Sequence, residues 1–213
     1  MTVSLIHATP LHVAVWAIRK CWNSEDKSDS EVHIIETKNP FYSHSFVECG
    51  IKDRALIERI GNKMKHESVK NHINYTFNID GVSTKTLLAM TRHDVGTEFS
   101  VQSTRYTTKK RKDELSYTSL SKPERNEKLD RIMSIVQEAI DDNWSNDDIA
   151  MLLPQAYNYS WIATMSMSAL QHFLALRTSG DAHYDIRELA FKLYEQIPEE
   201  HKYMFKDYVK EEK

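Results

Sequence analysis

From His72 the chain alternates strictly: Ile73, Tyr75, Phe77 and Ile79 fall on one face, and Asn74, Thr76, Asn78 and Asp80 on the other. A strand sends successive side chains to opposite faces, so the pattern commits this segment to a β-strand with one apolar and one polar side. Such a strand needs partner strands and a layer packed on its apolar face. Thr2 to Ala8, with Val3, Leu5 and Ile6, reads as a second strand, and the aromatic-rich Tyr157 to Thr164 as a third extended segment.

Helical spacing supplies the covering layer. After Thr9-Pro10, Leu11, Ala14, Val15, Ile18 and Trp22 recur at helical intervals. Asp53 is the expected cap of a helix containing Leu56, Ile57, Ile60 and Met64 and ending near His66-Glu67-Ser68. Asp80-Gly81 is expected to end the strand, with Ser83 capping a helix that holds Leu87, Leu88 and Met90. Ser121 to Glu124 and Ser145 to Asp148 read as capping boxes. The first precedes Leu129, Ile132, Met133, Val136 and Ile140; the second opens a short helix stopped at Leu153-Pro154. Ala169, Leu170, Phe173 and Leu174 mark a helix reaching Arg177. Asp181 is expected to cap the next, with Ile186, Leu189, Ala190 and Leu193, closed by Pro198; the charged tail to Lys213 reads as a short helix. Asn23 to Gly50 has no clean period and reads as a long loop or partly helical cover. Strands do not alternate regularly with helices, which argues against a doubly wound parallel sheet. The expected fold is α/β in the α+β sense: one helix-rich domain over residues 1–213 with a small, mainly antiparallel sheet.

Several function classes drop out. A net charge of -3 gives no global basic field, so nucleic acid is not an expected partner. Cys21 and Cys49 lack any CxxC spacing and read as reduced thiols of a cytoplasmic protein. No apolar run approaches the roughly 20 residues of a membrane helix, and the N-terminus has no signal-peptide pattern. Neither GxGxxG nor GxxxxGK[ST] occurs.

The polar stretch Arg92 to Tyr106 is the main candidate for chemistry. It packs Arg92, His93, Asp94, Glu98 and Arg105 together with the hydroxyls of Thr97, Ser100, Ser103, Thr104 and Tyr106. Arginines interleaved with hydroxyls hold phosphate well, because guanidinium presents a planar fork of donors. Arg92 and His93 also stand where a helix ends, and cations there complement its dipole. Ser103 has no G-x-S-x-G elbow, so a hydrogen bond to phosphate or carbonyl suits it better than nucleophilic attack. Arg177 and Arg187 flank a polar turn and either face one pocket or serve as a dipole partner and a snorkelling side chain. His66 and His72 bracket Glu67 at a spacing that fits neither a helical pair nor a zinc finger, so no metal is expected. Lys109 to Lys112 forms a solvated basic run or a phosphate-facing flank.

Arg92-His93…Ser103-Thr104-Arg105-Tyr106 resembles the signature of the flavin-dependent thymidylate synthases: Arg-His-Arg, a spacer, Ser, one residue, Arg-Tyr. His66-Glu67-Ser68-Val69…His72, Leu153-Pro154 with His172 to Arg177, and Ala182…Asp185-Ile186-Arg187 agree with further family blocks in order and spacing. The resemblance implies a homotetramer with sites between subunits, binding FAD, dUMP, methylenetetrahydrofolate and NADPH, in which the cofactor does the hard chemistry. Carried over residue by residue, it implies that Arg187 activates the pyrimidine by stabilising negative charge on it. Gln102, Ser103, Thr104, Arg105 and Tyr106 would line the dUMP site. Ser68, Arg92, His93, Asp94, Arg177 and Asp181 would line the FAD site. Asp94 replaces the third residue of Arg-His-Arg, the spacer to Ser103 is one residue longer than the common form, and Val101, Ala89 and Tyr159-Ser160 replace frequent polar contacts. These departures keep two other readings in view: a pyrimidine nucleotide hydroxymethylase, with Asp94 and Glu98 as the acids to suspect, and a non-catalytic nucleotide- or flavin-binding homologue.

Overall fold

The computed structural model describes residues 1–35, 44–110 and 115–210. In chain order its elements are β1 (Thr2–Ala8), α1 (His12–Cys21), β2 (Glu31–Ile35), β3 (His44–Glu48), α2 (Ile51–Ile57), α3 (Glu67–Lys70), β4 (Asn74–Ser83), α4 (Thr84–Met90), β5 (Thr97–Val101) and α5 (Thr104–Thr107). There follow α6 (Asn126–Asp141), α7 (Asn146–Leu152), β6 (Asn158–Ser166), α8 (Met167–Arg177), α9 (Tyr184–Glu195) and α10 (Glu199–Lys202). The four-stranded sheet has the order β1-β4-β6-β5, and every pairing is antiparallel. This is the expected α+β architecture.

The alternation that defines β4 does what it dictates. Tyr75, Phe77 and Ile79 are fully buried, while Asn74, Thr76, Asn78 and Asp80 stay partly exposed on the other face. The apolar face meets Leu170, Phe173 and Leu174 of α8 and Ile186, Leu189 and Leu193 of α9 in one cluster. Each large side chain buried there contributes roughly 2–3 kcal/mol. Asp80-Gly81 does not end the strand. Gly81, at φ 69°, makes a bulge, and pairing resumes with Val82 opposite Tyr159 and Ser83 opposite Asn158. Ser83 then caps α4 as expected, accepting from the Thr86 backbone N–H at 3.1 Å. A second, smaller core joins Val136, Ala139 and Ile140 of α6 to Ile149 of α7.

The span read as a loop from Asn23 to Gly50 contains a hairpin instead. β2 pairs antiparallel with β3, Glu31 opposite Glu48 and Val32 opposite Val47. Its period was hidden because the ladder stands apart from the main sheet and leaves Val32 exposed. Its base is tied to α2 by acids. Asp29, not Asp53, caps α2, accepting from the backbone N–H groups of Lys52 at 2.8 Å and Asp53 at 3.0 Å. Asp53 points inward, where Arg19 of α1 donates Nε–H to it at 2.8 Å and the Ser28 and Ser30 hydroxyls donate at 2.6 Å. Burial raises the Asp53 pKa, but those hydroxyls and the guanidinium outweigh it and hold the group below the ordinary value. A buried carboxylate with this full set of partners escapes the cost of an isolated charge.

Smaller departures have local causes. α2 continues as a π-turn over Glu58–Lys63 and stops there, so Glu67 and Ser68 belong to the separate turn α3. Ser121 makes no capping bond; Pro123–Arg125 form a 3-10 turn, and Asn126 bonds back to Leu120 N–H and Ser119. Ser145 caps α7 as read. His183 rather than Asp181 caps α9, accepting from the Asp185 N–H at 3.4 Å. No helix among the described residues is long and apolar enough to cross a membrane.

Candidate active site

β6 passes into α8 without a loop. The Ser166 hydroxyl accepts from the Ala169 N–H at 3.2 Å, so the helix is capped where the strand stops. Facing this junction is the turn after α4, held by Ser166 N–H to Gly96 O at 2.8 Å. Gly96 has φ 73°, and a Cβ placed on it would lie 2.7 Å from the Ser166 hydroxyl and 3.4 Å from Ala169 Cβ. The glycine therefore keeps open a space that any side chain would fill. α3 and the residue after it supply the third wall. Together they enclose a pocket of about 430 Å³ lined by Glu67, Asn71, Arg92, His93, Asp94, Val95, Gly96, Ser166, Ser168, Ala169 and His172.

The pocket keeps its histidine neutral. His93 packs edge-on against Phe173 at 5.1 Å and lies 5.8 Å from the His172 ring. Arg177, in the last turn of α8, donates its Nε–H to His93 Nε2 at 3.1 Å. An Nε2 that accepts carries no proton, so neutral His93 bears its proton on Nδ1. Burial, reinforced by Arg177 and His172 and opposed by Asp94, lowers the His93 pKa to about 4. Arg92, exposed in the pocket wall, and the N-terminal end of α8 provide positive charge, with Glu67 and Asp94 opposite in sign.

Residues 4–201 match the family described as thymidylate synthase complementing protein. The flavin-dependent thymidylate synthase of Campylobacter jejuni strain RM1221 is 35% identical, the match covering 96% of each chain. This chain belongs to the flavin-dependent thymidylate synthase family. The enzyme of Helicobacter pylori strain 26695 carrying the same name is 32% identical, over 99% of this chain and all of that one. The crystal structure of thymidylate synthase X from Helicobacter pylori with FAD and dUMP superposes with a TM-score of 0.85 at 29% identity, over 99% of this chain and 100% of that chain.

In this chain the expected site residues fall into separate groups. Arg92, His93 and Asp94 line the pocket, and Arg177 joins them through His93. Ser68 is exposed on α3 beside Glu67. Asp181 is exposed in the turn before α9, its N–H directed to the Ser179 hydroxyl at 3.4 Å. Arg187 donates Nη1–H to the Gly180 carbonyl at 3.2 Å, held by a helix whose Asp185 accepts from Ser83 and Thr86 hydroxyls of the α4 cap.

The stretch from Arg92 to Tyr106 is not one loop. Thr97–Val101 form the edge strand β5, which puts Ser100 opposite Ile162 and Val101 opposite Trp161. Gln102 continues the ladder with its N–H on Ser160 O at 3.0 Å. Ser103 is the N-terminal boundary of α5, which carries Thr104, Arg105 and Tyr106. Arg105 is ion-paired to Asp147 of α7 at 3.2 Å, and its carbonyl accepts from Asn146 at 2.7 Å. None of Gln102 to Tyr106 lines the pocket behind Arg92.

The lining also includes Glu67 and Asn71 of the His66–His72 turn and Val95 and Gly96 of the Arg92–Tyr106 stretch, segments the sequence offers without naming these residues, and Ser166, Ser168, Ala169 and His172, which it does not single out as site residues. The available signal was Ser166 three residues before Ala169 at a strand-to-helix junction, which marks a helix start able to face a ligand. His66 and His72 are exposed outside the pocket, and no group of metal-ligating side chains occurs among the described residues. Lys109 bonds to Asn143 at 2.8 Å; residues 111 and 112 of the basic run lie outside the described residues.

Proposed function

We propose that this chain, acting as one unit over its whole length, catalyses the reductive methylation of dUMP to dTMP, with FAD bound in the pocket between α3, the Arg92 turn and α8. Methylenetetrahydrofolate is read as the one-carbon donor and NADPH as the reductant. The observation that carries the reading is the pocket itself: Gly96 leaves a cradle a Cβ would close, with Arg92 and the start of α8 set to take negative charge. These groups fit a flavin dinucleotide. Bound FAD would supply the hydride; the chain supplies binding, orientation and charge.

In this reading Arg92 and the α8 terminus hold the anionic part of the cofactor, beside Ser68, Asp94 and Asp181. Arg177 anchors His93, whose Nδ1–H remains a donor at neutral pH. Ser103 and Arg105 hold the nucleotide phosphate, with Gln102, Thr104 and Tyr106 around it. Arg187 lies against the pyrimidine and stabilises negative charge that develops on the ring. The α5 group does not line the FAD pocket within one chain. That separation supports a homotetramer in which neighbouring copies complete each site.

The test is direct. Purified protein is expected to be yellow and to retain FAD. Incubation with dUMP, methylenetetrahydrofolate and NADPH is expected to give dTMP by mass spectrometry, and the gene to rescue a thymidine auxotroph. Asp94 in the pocket wall makes the hydroxymethyl nucleotide the specific alternative product. That product, or colourless protein that takes up no FAD, overturns the proposal.

A further inference from the structure

Lys70 is a charged residue with nowhere obvious to go. Its side chain is 2% exposed, yet it sits one turn from the rim of the pocket. The stem runs inward over the π-turn, where its Cγ lies 3.2 Å from the position of a Cβ on Gly61, so the glycine makes room for it. At the far end the ammonium donates to Gln171 Oε1 at 2.8 Å and pairs with Glu67 Oε1 at 3.0 Å. Gln171 is itself fixed, donating to Asn62 Oδ1 at 3.0 Å and to the Met204 carbonyl at 2.7 Å. The network thus reaches from the buried C-terminal turn to one carboxylate, and that carboxylate is 53% exposed in the pocket wall. Two salt-bridge partners of such unequal exposure do not describe an ordinary surface pair.

We propose that Glu67 is a further ligand-binding residue of this pocket, taking the hydroxyl groups of a polyol or ribose chain, and that Lys70 is the positioning residue that fixes it. The inference rests on the reading of the pocket as a flavin nucleotide site and adds a contact to it. With Oε1 tied to Lys70 and the Ser168 hydroxyl also acting on the carboxylate, its remaining lone pairs are still acceptors, and an ionised carboxylate with its orientation fixed suits vicinal hydroxyls. Arg92 on the opposite side takes the charged part of the same molecule, so one wall reads phosphate and the other reads sugar. The groups facing Glu67 are Lys70 on its own helix α3, Ser168 on the packed helix α8, Lys65 before α3, Tyr208 of the C-terminal turn, and Arg92, His93, Asp94 and His172 across the pocket. Burial works to raise its pKa, but Ser168, Lys70 and Lys65 outweigh this and hold it below the ordinary carboxylate value.

The experiment titrates FAD into wild type, Glu67→Gln, Lys70→Met and the double variant, following flavin fluorescence from pH 5 to pH 8. Each single variant is expected to raise the FAD Kd roughly tenfold, and the double variant to be no worse than the weaker single. Wild-type affinity is expected to stay flat over the range. In Lys70→Met it should fall towards acid pH, because Glu67 then titrates higher; a merely structural role for Lys70 would not produce that slope. Glu67→Gln should abolish the slope in the double variant. Should Lys70→Met fail to fold, Lys70→Gln removes the charge and keeps a hydrogen bond to Gln171. Wild-type protein that takes up no FAD overturns the pocket reading together with this inference. Wild-type protein that binds FAD, with Glu67→Gln equal to it or with no pH slope in the Lys70 variant, overturns this inference alone.

Discussion

Arg177 donates its Nε–H to His93 Nε2 at 3.1 Å, joining residues 84 positions apart in the chain. The contact ties the last turn of α8 to the turn that forms the pocket wall. Arg177→Met is expected to raise the His93 pKa from about 4 while burial still keeps it under the usual histidine value. FAD affinity should fall roughly tenfold through loss of the fixed ring orientation. Histidine NMR titration of the variant, alongside flavin fluorescence, checks both.

Gly96→Ala is expected to damage the pocket rather than the core. Its φ of 73° disfavours a side chain, and the new Cβ would stand 2.7 Å from the Ser166 hydroxyl that caps α8. The cost is about 1–2 kcal/mol of stability, accompanied by loss of FAD uptake. Thermal unfolding and flavin content of the purified variant measure the two effects; full flavin content would contradict the role given to this cradle.

Arg105→Ala should separate binding from stability. The Arg105 side chain is 66% exposed and its partner Asp147 similarly so, hence their ion pair is worth under about 1 kcal/mol. The melting temperature is expected to stay close to wild type while the KM for dUMP rises tenfold or more, as loss of a charge-assisted phosphate contact implies. Unchanged KM would remove Arg105 from the nucleotide site.

Asp185→Ala should act through the fold. The buried carboxylate accepts from the Thr86 hydroxyl at 2.6 Å and from Ser83, locking the start of α9 to the start of α4. Its removal leaves two hydroxyls without their acceptor, at a cost of about 2–3 kcal/mol. Because Arg187 lies two residues on, kcat should fall as well. Urea unfolding and steady-state kinetics read the pair of effects.

His201 gives a pH dependence with a defined sign. It is 2% exposed and bonded to the Tyr75 hydroxyl at 2.8 Å, and burial lowers its pKa to about 4, with Arg54 adding to this against Glu200. The unfolded chain therefore binds more protons between about pH 6.5 and pH 4. Stability is fully present above that window and declines as pH falls through it, by up to roughly 3 kcal/mol from this residue. His93 adds to the same slope. Urea midpoints measured from pH 7 to pH 4 should fall, and fall less steeply in His201→Gln.

How far the sequence carried the fold follows from the kind of signal each element leaves. β4 was legible because its apolar face is buried completely and its period is two; α8 and α9 were legible because their apolar residues recur at helical spacing. The hairpin β2–β3 was not, because it stands apart from the main sheet and one exposed valine breaks its pattern. Asp53 looked like a cap by position, and only tertiary structure shows that Arg19, Ser28 and Ser30 draw it inward. The pocket at the end of β6 was half legible: Arg92 and His93 announce themselves by type. Glu67, Gly96 and Ser166 do not, since their role comes from three distant elements meeting at the end of β6.

The pairing of β4 with β6 has a consequence for synthesis on the ribosome. Thr76 meets Thr164 across the middle of the sheet, 88 positions later in the chain. Until β6 emerges, the face bearing Tyr75, Phe77 and Ile79 lacks the helices that bury it, and one edge of β4 is open. Closing so long a loop is slow compared with local helix formation. Sheet and pocket are therefore finished in one late event, because the strand that completes the sheet also delivers Ser166. A nascent chain stalled before Asn158 presents a strand paired on one edge only, by β1, with an open edge and an apolar face to whatever lies nearby, and is a substrate for chaperones or aggregation.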